Sequence, residues 1–476
     1  MKKFRMFLAN LGYCRPLWPL VTPPMGIMYL AAYLRTKFDL DIKLVNQRES
    51  NCTNEELARQ AIEFEADIVG FSSLTAFGHA LAPLTRMVRA GLPKALILLG
   101  GPHITSFGAQ ALADTAANAA VEGEGELALE QIIRAHFDGG DFGHIPALIW
   151  RNGNGEVLTN PGTMPPIDNL DSLPFPAYDL IDLPKYWRRQ SMPPLPRRRY
   201  ASLVSSRGCP YHCNWCHRIF GKKFRTHSAE RIVDEIEYFQ RIYGVDDFEF
   251  LDDIFNLDHS RLIAFCDLLH RRNLRIKMAF PSAVRADILT QEDVDALADA
   301  GTYFSSFALD SGSPRIQKLV GKNLDIPRFV QGVEMAVKRG IFANGFAMLG
   351  FPTETEEEMR QTIDITCHSR LHTASFLNVT PFPNTDLYDH VAKTHARQLA
   401  NLTFEDTDLC DIRVNLSEVP DAVLFACQRQ ANQQFFLNPK RLYRILRDHP
   451  QRHLLPLYIP IYLARATKGL LGPGKT

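Results

Sequence analysis

Short apolar runs alternate with longer amphipathic stretches over residues 1–140. The runs are bounded by Gly, Asn or Asp, which is typical of buried parallel strands. They are Phe4–Ala9, Ile42–Val45, Ile68–Phe71, Ala95–Leu99 and Ala119–Val121. The apolar spacing between them predicts helices over Gly26–Thr36, Asn54–Glu65, Ala80–Ala90, Ile104–Ala113 and Glu126–His136. This alternation predicts an α/β domain built on a doubly wound parallel sheet.

The pattern changes between residues 141 and 196. Ala147–Trp150 and Glu156–Leu158 flank Asn152–Gly155, which predicts a hairpin with a tight turn. Nine of the thirty prolines lie from Pro161 to Pro196, so this stretch cannot form a regular helix or a central strand. We expect an extended connector that lies over the seam between two domains.

From residue 197 to about residue 400, strands and helices alternate with a longer period. Candidate strands begin near Tyr200, Asp247, Leu274, Thr302, Ile341 and Ala374. The helices predicted after them are Ala229–Tyr243, Ser260–Arg271, Gln291–Asp299, Ile326–Lys338, Glu356–His368 and Thr385–Thr394. Consecutive units of this kind predict a partial (βα)6 barrel similar to a TIM barrel, with its chemistry at the carboxyl ends of the strands. Residues 401–476 lose the rhythm and predict a helical carboxyl-terminal extension.

Three strand ends in the amino-terminal third are rich in small or hydroxyl residues. They carry Ser72, Ser73 and Thr75, then Gly100 and Gly101, then Gly123 and Glu124. Ligands of open parallel sheets bind outside the carboxyl ends of the strands, and glycine lets a bulky ligand approach the backbone. We therefore expect a ligand site at this edge, with tight strand–helix turns as the alternative. No G-x-G-x-x-G fingerprint is present, which argues against an ordinary dinucleotide site.

Composition limits the class of protein. Of the 476 residues, 46% are hydrophobic and 22% are charged, which excludes a disordered chain, a collagen-like chain and a small disulfide scaffold. Lys+Arg and Asp+Glu both total 53, so no net charge attracts nucleic acid. No apolar run approaches the roughly 18 residues of a spanning helix, and no signal peptide is evident. We expect a cytoplasmic protein whose nine cysteines stay reduced.

Three of those cysteines crowd together directly after the first predicted barrel strand. Cys209, Cys213 and Cys216 have the spacing C-x3-C-x2-C. A 4Fe–4S cluster ordinarily takes four thiolates, so three can hold one and leave an iron open to a small molecule. The alternative is zinc bound by the three cysteines and His212 or His217, although structural zinc usually draws its ligands as two separated pairs.

This loop, with Trp215 before its last cysteine, resembles the cluster-binding motif of radical S-adenosylmethionine (SAM) enzymes. The resemblance continues in order over Phe224–Glu230, Phe250–Phe255, Ser282–Asp287, Leu309–Ser313, Leu349–Glu354 and Thr380–Thr385. Residues 1–140 resemble the cobalamin-binding domain of a subset of this family, which includes anaerobic magnesium-protoporphyrin ester cyclases and C-methyltransferases. The segments that carry this second resemblance are Pro23–Ala31, Ser72–Thr75, Gly100–His103 and Gly123–Glu126. Together they imply a flavodoxin-like cobalamin-binding sheet before the barrel.

The resemblance implies that Cys209, Cys213 and Cys216 ligate a 4Fe–4S cluster whose open iron binds SAM. An electron from the cluster would cleave SAM to methionine and a 5′-deoxyadenosyl radical, which takes hydrogen from the substrate. The further residues that the resemblance implies for the SAM site are Trp215, Asp252, Arg285, Asp310, Ser311, Gly350 and Pro381.

Several of these assignments have competing interpretations. Trp215 would cover the adenine or the cluster, or pack in the core. Arg285 would pair with the SAM carboxylate as a bidentate fork, or form a structural salt bridge. Asp310 stands where the family usually has a longer Glu that contacts the ribose hydroxyls. Glu356 and Glu358 follow threonines at capping-box spacing, so we expect them to start a helix rather than to act in catalysis.

The resemblance also implies cobalamin at the amino-terminal strand ends. The residues it implies there are Ser72, Ser73, Thr75, Gly100, Gly101, Gly123 and Glu124. The D-x-H-x-x-G motif that supplies a histidine to cobalt in many cobalamin proteins is missing. We therefore expect cobalamin without a histidine ligand, with His103 or His79 as the alternative.

These observations predict a cobalamin-dependent radical SAM enzyme that methylates an unactivated carbon of a small molecule or lipid. One alternative is radical cyclisation or ring rearrangement without methyl transfer. An alternative of another class is a non-catalytic iron–sulfur or cobalamin-dependent regulator. A flavodoxin or ferredoxin is the expected electron donor, and no nucleic-acid partner is expected because the chain has no basic footprint of the required kind.

The carboxyl-terminal region is basic. After Gln428 the single acid, Asp448, faces nine basic residues: Arg429, Lys440, Arg441, Arg444, Arg447, Arg452, Arg465, Lys468 and Lys475. An apolar run over residues 454–463 is short and is broken by Pro456 and Pro460. We expect a helix docked on the barrel with a solvated basic face. Peripheral contact with an anionic membrane surface is the alternative.

Overall fold

Seven strands form the amino-terminal sheet in a computed structural model that describes residues 3–13, 20–195, 198–217, 219–400, 402–405 and 413–456. Their order is β2-β1-β3-β4-β5-β6-β7, and β1 to β5 are parallel. The strands are β1 (Phe4–Asn10), β2 (Leu40–Asn46), β3 (Ile68–Ser72), β4 (Leu96–Gly100), β5 (Ala119–Ala120), β6 (Ile149–Arg151) and β7 (Val157–Thr159). The first five have the flavodoxin-like order of a doubly wound sheet, so this prediction is confirmed.

Helices cover both faces of this sheet. They are α1 (Met25–Arg35), α2 (Gln47–Ser50), α3 (Asn54–Glu63), α4 (Leu81–Gly91), α5 (Pro102–Phe107), α6 (Ala109–Ala113) and α7 (Glu126–Phe137). Successive strand residues point to opposite faces. Met6 and Leu8 accordingly share a buried cluster with α1 and α7, whereas Phe7 and Ala9 share another with α3 and α4.

Two details of this unit differ from the sequence-based expectation. The single helix predicted over Ile104–Ala113 is two helices, because Gly108 between α5 and α6 has a φ of +54° that a helix cannot contain. The predicted hairpin exists, and β6 pairs antiparallel with β5. The hairpin therefore extends the amino-terminal sheet to Thr159, which is beyond the domain boundary predicted near residue 140.

The proline-rich connector contacts both sheets. It contains short 3-10 turns at Leu170–Ser172 and Tyr178–Leu180 and the helix α8 (Leu183–Trp187). The Ala177 amide donates to the Met28 carbonyl of α1. The Tyr178 hydroxyl donates to the Ser202 carbonyl at 2.8 Å and accepts from the Ser202 amide at 3.0 Å. The connector thus supplies hydrogen bonds to the free edge of the first barrel strand.

Six parallel strands form the barrel sheet in the order β15-β14-β13-β12-β11-β8. They are β8 (Tyr200–Leu203), β11 (Asp247–Phe250), β12 (Lys277–Val284), β13 (Thr302–Asp310), β14 (Phe342–Leu349) and β15 (Thr373–Asn378), and the short β9 (Ser206–Arg207) and β10 (Arg225–Thr226) pair apart from them. The helices are α9 (Ala229–Tyr243), α10 (His259–Arg271), α11 (Gln291–Asp299), α12 (Pro314–Leu319), α13 (Ile326–Lys338), α14 (Glu356–His368) and α15 (Asp386–Thr394). Since β8 and β15 are not paired, the barrel is partial, as predicted.

The carboxyl-terminal region is helical where it is described. Its helices are α16 (Ala396–Ala400), α17 (Asp421–Phe436) and α18 (Pro439–Asp448). Residues 406–412 and 457–476 of the predicted extension lie outside the described residues. Among the described helices, none has both the length and the apolar character needed to span a bilayer.

Replacing Tyr178 by Phe tests the connector's contact with β8. The change leaves the buried amide and carbonyl of Ser202 without their partner, so we expect the free energy of unfolding to fall by about 1–3 kcal/mol. Tyr443→Phe is the control, because Tyr443 is 64% exposed. Urea unfolding followed by circular dichroism measures both variants, and equal stability of the two would contradict a structural role for the hydroxyl.

Candidate active site

The three clustered cysteines lie on a loop at the carboxyl end of β8. Arg207 and Ser206 of β9 pair with Arg225 and Thr226 of β10, so a short antiparallel ladder closes the base of this loop. The loop begins at Gly208, whose φ is +85° and whose added Cβ would lie 2.3 Å from the Lys223 carbonyl oxygen. Only glycine therefore fits where the chain leaves the barrel and enters the loop.

The three cysteines of the loop differ in exposure, and the pKa of each thiol is raised. Cys209 and Cys213 are half-buried, and burial raises the pKa of both thiols. Cys216 has one exposed side, yet the dense surroundings of its sulfur, followed by the nearby Cys213 thiol, raise its pKa to about 12. Free thiols here are protonated near neutral pH, so metal binding displaces protons from them.

The cysteine loop supplies three thiol donors. Within the described residues, no group of three or more His, Cys, Asp or Glu side chains is arranged to hold a metal ion. A 4Fe–4S cluster ordinarily takes four thiolates, one on each iron. The three thiols of one loop, with no fourth cysteine of the motif, match a 4Fe–4S cluster that keeps one iron open.

A segment after α12 holds the cysteine loop from the barrel side. The Asn214 amide donates to the Val320 carbonyl at 2.9 Å. Gly321 has a φ of +69°, and a Cβ added there would lie 2.4 Å from the His212 carbonyl oxygen. We call Val320, Gly321 and Lys322 the clasp, because their backbone lies directly against the loop.

Asp310 ends β13 beside this clasp. It is 6% exposed, has a φ of +59°, and forms an ion pair with Lys322 through Oδ2. Ser311 follows it and is fully buried. The carboxylate predicted to contact the ribose therefore lies at the mouth of the barrel, next to the cysteine loop, with a lysine that fixes its orientation.

Arg285 is engaged within the protein. Its guanidinium donates to both oxygens of Asp287 at 2.8 and 3.0 Å and to the Lys322 carbonyl at 3.1 Å. It also lies 3.8 Å from the ring centroid of Tyr211 in the cysteine loop. Of the two interpretations of Arg285, the geometry matches the salt bridge, which ties β12 to the clasp and the loop.

Asp252 also serves the framework. It is 2% exposed, and its carboxylate accepts from the amide and hydroxyl of Ser205 and from the Ser206 hydroxyl. Burial raises its pKa. The side chain predicted to contact SAM or substrate is thus directed at the end of β8, where it sets the start of the cysteine loop.

The remaining predicted SAM residues surround the mouth. Trp215 packs edge-to-face on Phe351, with 5.4 Å between ring centroids, and is only partly buried. Gly350 has a φ of +90°, and its amide donates to the buried Glu354 at 2.7 Å. Pro381 is buried three residues after the end of β15. These positions follow β8, β14 and β15, so they share the carboxyl end of the sheet.

The predicted cobalamin residues converge at one edge of the amino-terminal sheet. The Ser73 amide donates to the Gly100 carbonyl at 3.2 Å, so the ends of β3 and β4 are joined. Gly101 has a φ of +88°, and a Cβ there would lie 2.6 Å from the Ser72 hydroxyl. Thr75 is buried and begins the next turn. Small residues thus pack closely where β3 and β4 end, and we call these strand ends the glycine-rich edge.

The third strand end faces the barrel instead of lying free. Glu124 accepts from Arg207 at 2.8 Å and forms a second ion pair with Arg225. Glu126 accepts from Arg207 at 2.6 Å. The side chains of all four residues are at most 12% exposed. Glu124 therefore joins the two units, and Gly123 beside it lies against the cysteine loop, because a Cβ added there would lie 3.2 Å from the Ile219 carbonyl oxygen.

Two further contacts bring the two edges together. The Asn384 amide group donates to the Thr105 carbonyl at 2.8 Å, and the Ser106 hydroxyl lies 3.4 Å from Nδ1 of His217. A cavity of about 390 Å³ lies at this seam, lined by residues of both units including Glu122, whose pKa is raised by burial. The cysteine loop and the glycine-rich edge therefore face each other.

His103 lies at the same edge. Burial, followed by the neighbouring His79, lowers the pKa of His103 to about 4. Its Nδ1 is buried and has no hydrogen-bond partner among the described residues. The ring packs against Gly78, whose added Cβ would overlap it, and against Phe107. His103 is thus neutral and lies at the edge with its Nδ1 buried, whereas His79 is exposed.

Sequence reasoning missed the residues that hold the loops. Arg207 and Arg225 flank the cysteine loop, and residues 123–126 alternate Gly with Glu. The sequence therefore contained opposite charges that could form ion pairs. Their pairing, however, joins residues more than 80 positions apart. Lys322 follows a glycine after an unpredicted helix, and nothing local indicates that it meets Asp310.

The chain matches two family models in separate regions. The B12 binding domain matches residues 19–133, and the Radical SAM superfamily matches residues 203–365. The first covers the glycine-rich edge, and the second covers the cysteine loop and the strands from β9 to β14. The two halves of the candidate site therefore correspond to the two domains.

Curated relatives extend over nearly the whole chain. An uncharacterized methyltransferase of Pyrococcus horikoshii is 28% identical over 430 residues, 90% of each chain. An anaerobic magnesium-protoporphyrin IX monomethyl ester cyclase of Rubrivivax gelatinosus is 24% identical over 441 residues, 91% of this chain and 77% of the cyclase.

A solved structure shares the fold. The cobalamin-dependent S-adenosylmethionine radical enzyme OxsB with aqua-cobalamin bound has a TM-score of 0.75 at 18% identity, and the match covers 99% of this chain and 74% of OxsB. The two matched domains, in the predicted order and with a fold that agrees over the whole length, confirm the resemblance drawn from the motifs. The chain therefore carries a B12 binding domain followed by a Radical SAM domain, the arrangement of the cobalamin-binding radical SAM enzymes that it resembles.

Proposed function

We propose that this enzyme methylates an unactivated carbon of a small molecule or lipid. The observation that carries the proposal is the juxtaposition of the cysteine loop with the glycine-rich edge across one seam, fixed by Thr105–Asn384 and Ser106–His217. Chemistry that needs two cofactors requires that both reach one substrate. The methyltransferase from P. horikoshii, which matches 90% of this chain, supports methyl transfer.

In this proposal Cys209, Cys213 and Cys216 ligate a 4Fe–4S cluster, which supplies the electron that cleaves SAM. The clasp keeps the loop in place, and Asp310 accepts hydrogen bonds from the ribose hydroxyls while Lys322 orients its carboxylate. Trp215 and Phe351 cover the apolar side of the site and exclude water. Ser311, Gly350 and Pro381 line the same mouth.

Cobalamin, which supplies the methyl group, would be held at the glycine-rich edge by Ser72, Ser73, Thr75, Gly100 and Gly101. Gly123 would let the corrin approach the seam. We propose no histidine on cobalt, and His103 is the side chain whose free Nδ1 offers the alternative.

The surroundings of the enzyme are part of the proposal. We infer a cytoplasmic setting and a flavodoxin or ferredoxin as reductant, because the cysteines need a reducing environment and the cluster needs a one-electron donor. The substrate is a small molecule or lipid, and the cavity at the seam is a polar place where part of it can lie.

Product analysis tests methyl transfer. Protein reconstituted anaerobically with iron, sulfide and cobalamin, then supplied with SAM and reductant, is expected to form both 5′-deoxyadenosine and S-adenosylhomocysteine. Ring formation, which the relationship to the cyclase makes the second candidate, yields 5′-deoxyadenosine without the homocysteine product. A regulator yields neither product.

Cysteine variants make this assay specific. Cys213→Ala is expected to lose iron and to abolish 5′-deoxyadenosine formation, because two thiolates no longer hold the cluster. Cys52→Ser is the matched control, since Cys52 is also a half-buried free cysteine but lies after α2, away from the barrel. Retention of iron and of SAM cleavage in Cys213→Ala would overturn the assignment of the ligands.

Gly321→Ala tests the clasp. The added methyl group meets the His212 carbonyl at 2.4 Å, so we expect the cysteine loop to shift and the iron and sulfide content per chain to fall at least by half. Gly340→Ala is the control, because Gly340 has a similar φ of +83° but no atom within 4 Å of the added Cβ. Both variants carry the backbone strain of about 1–2 kcal/mol, and equal cluster content in the two would refute the clasp.

A further inference from the structure

The last described helix, α18, has two faces of different character. Arg441 and Ile445 point into the protein and are 1% and 6% exposed. Leu442 and Leu446, four residues apart, lie side by side on the other face with Tyr443. Their exposed fractions are 38%, 56% and 64%, and Leu437 just before the helix is 61% exposed.

This clustering is unusual for the chain. Ten large apolar side chains are exposed among the described residues, and four of them fall within Leu437–Leu446. The other six are scattered singly, which is ordinary for a protein surface. We call Leu437, Leu442, Tyr443 and Leu446 the apolar patch.

The buried face of α18 is firmly attached. The Arg441 guanidinium donates to the carbonyls of Cys367, Ser369 and Leu371 and stacks on Phe435. Ile445 packs in a cluster with residues at the starts of β12, β13 and β14. The helix therefore lies across the amino ends of the barrel strands, and the apolar patch points away from the barrel.

Charge surrounds this patch. Lys440, Arg447 and Arg452 are exposed, and Arg447 forms an ion pair with Asp448 of the same helix at 2.6 Å. The sequence continues with an apolar run over residues 454–463 and then Arg465, Lys468 and Lys475. Leu and Tyr on one side of a helix with Lys and Arg beside them is the pattern of a helix that lies in a membrane interface.

We propose that α18 docks the enzyme onto an anionic lipid surface through the apolar patch, with the flanking basic residues at the headgroups. The excess of nine basic residues over one acid after Gln428 favours anionic lipid over a second copy of the chain, since two such faces repel each other. Each Lys or Arg near an anionic leaflet contributes about 1 kcal/mol. The docking is independent of the reaction and leaves the cysteine loop at the opposite end of the barrel.

Vesicle flotation tests this proposal with the full-length protein. Vesicles of phosphatidylcholine mixed with phosphatidylglycerol are expected to carry the enzyme, vesicles of phosphatidylcholine alone to carry far less, and added salt to release it. Lys440→Gln is expected to weaken partitioning about fivefold, the equivalent of the contribution of one basic residue. The triple variant Leu442→Ser, Tyr443→Ser, Leu446→Ser is expected to weaken it on the order of a hundredfold, because each buried CH2 group contributes about 0.8 kcal/mol.

Ile242→Ser is the matched control. Ile242 lies in α9, is 53% exposed, and is not part of an exposed apolar cluster. It is expected to bind vesicles as the unchanged protein does, and circular dichroism verifies that all variants are folded. Three results overturn the proposal: no flotation with anionic vesicles, equal flotation of the triple variant and the control, or a concentration-dependent dimer in light scattering that the triple variant abolishes.

Discussion

The arrangement of the site depends on a buried ionic network between the two units. Arg207 and Arg225 enclose the base of the cysteine loop, and both pair with Glu124 while Arg207 also reaches Glu126. Removing one partner from such a network leaves an uncompensated buried charge, which is strongly destabilising. The two sheets therefore cannot slide along the seam without breaking these pairs, and the distance between the cysteine loop and the glycine-rich edge is fixed as a consequence.

Three of the eight non-glycine residues with positive φ in the described part of the chain lie at the mouth of the barrel. They are Asp310, Thr353 and Asn384, with φ values of +59°, +61° and +61°. Asp310 ends β13, and the other two follow β14 and β15. Strain of this kind costs of order 1–3 kcal/mol per residue and persists only where surrounding contacts fix it. Here those contacts are the Lys322 ion pair, the Arg315 hydrogen bonds to Thr353, and the Asn384 bond across the seam.

Periodicity in the sequence was sufficient to predict the architecture. Four barrel helices, including Ala229–Tyr243, begin and end where the apolar spacing places them, because each buries one stripe against the sheet. Local signals failed where a single residue or a distant partner decides the outcome. Gly108 divides one predicted helix, and Arg285, already paired with Asp287 two residues away, also donates to the Lys322 carbonyl of the clasp, which no local pattern reveals. Motifs located the cysteines and strand ends, but only the fold shows which side chains are already engaged.

Cys216 is the exposed member of the three cysteines. Electron tunnelling weakens steeply with separation, so a reductant gains most by approaching the side of the loop on which Cys216 is exposed. An iron–sulfur centre held by these cysteines would meet molecular oxygen from the same side. The exposure that favours reduction of such a centre would therefore also favour its oxidation.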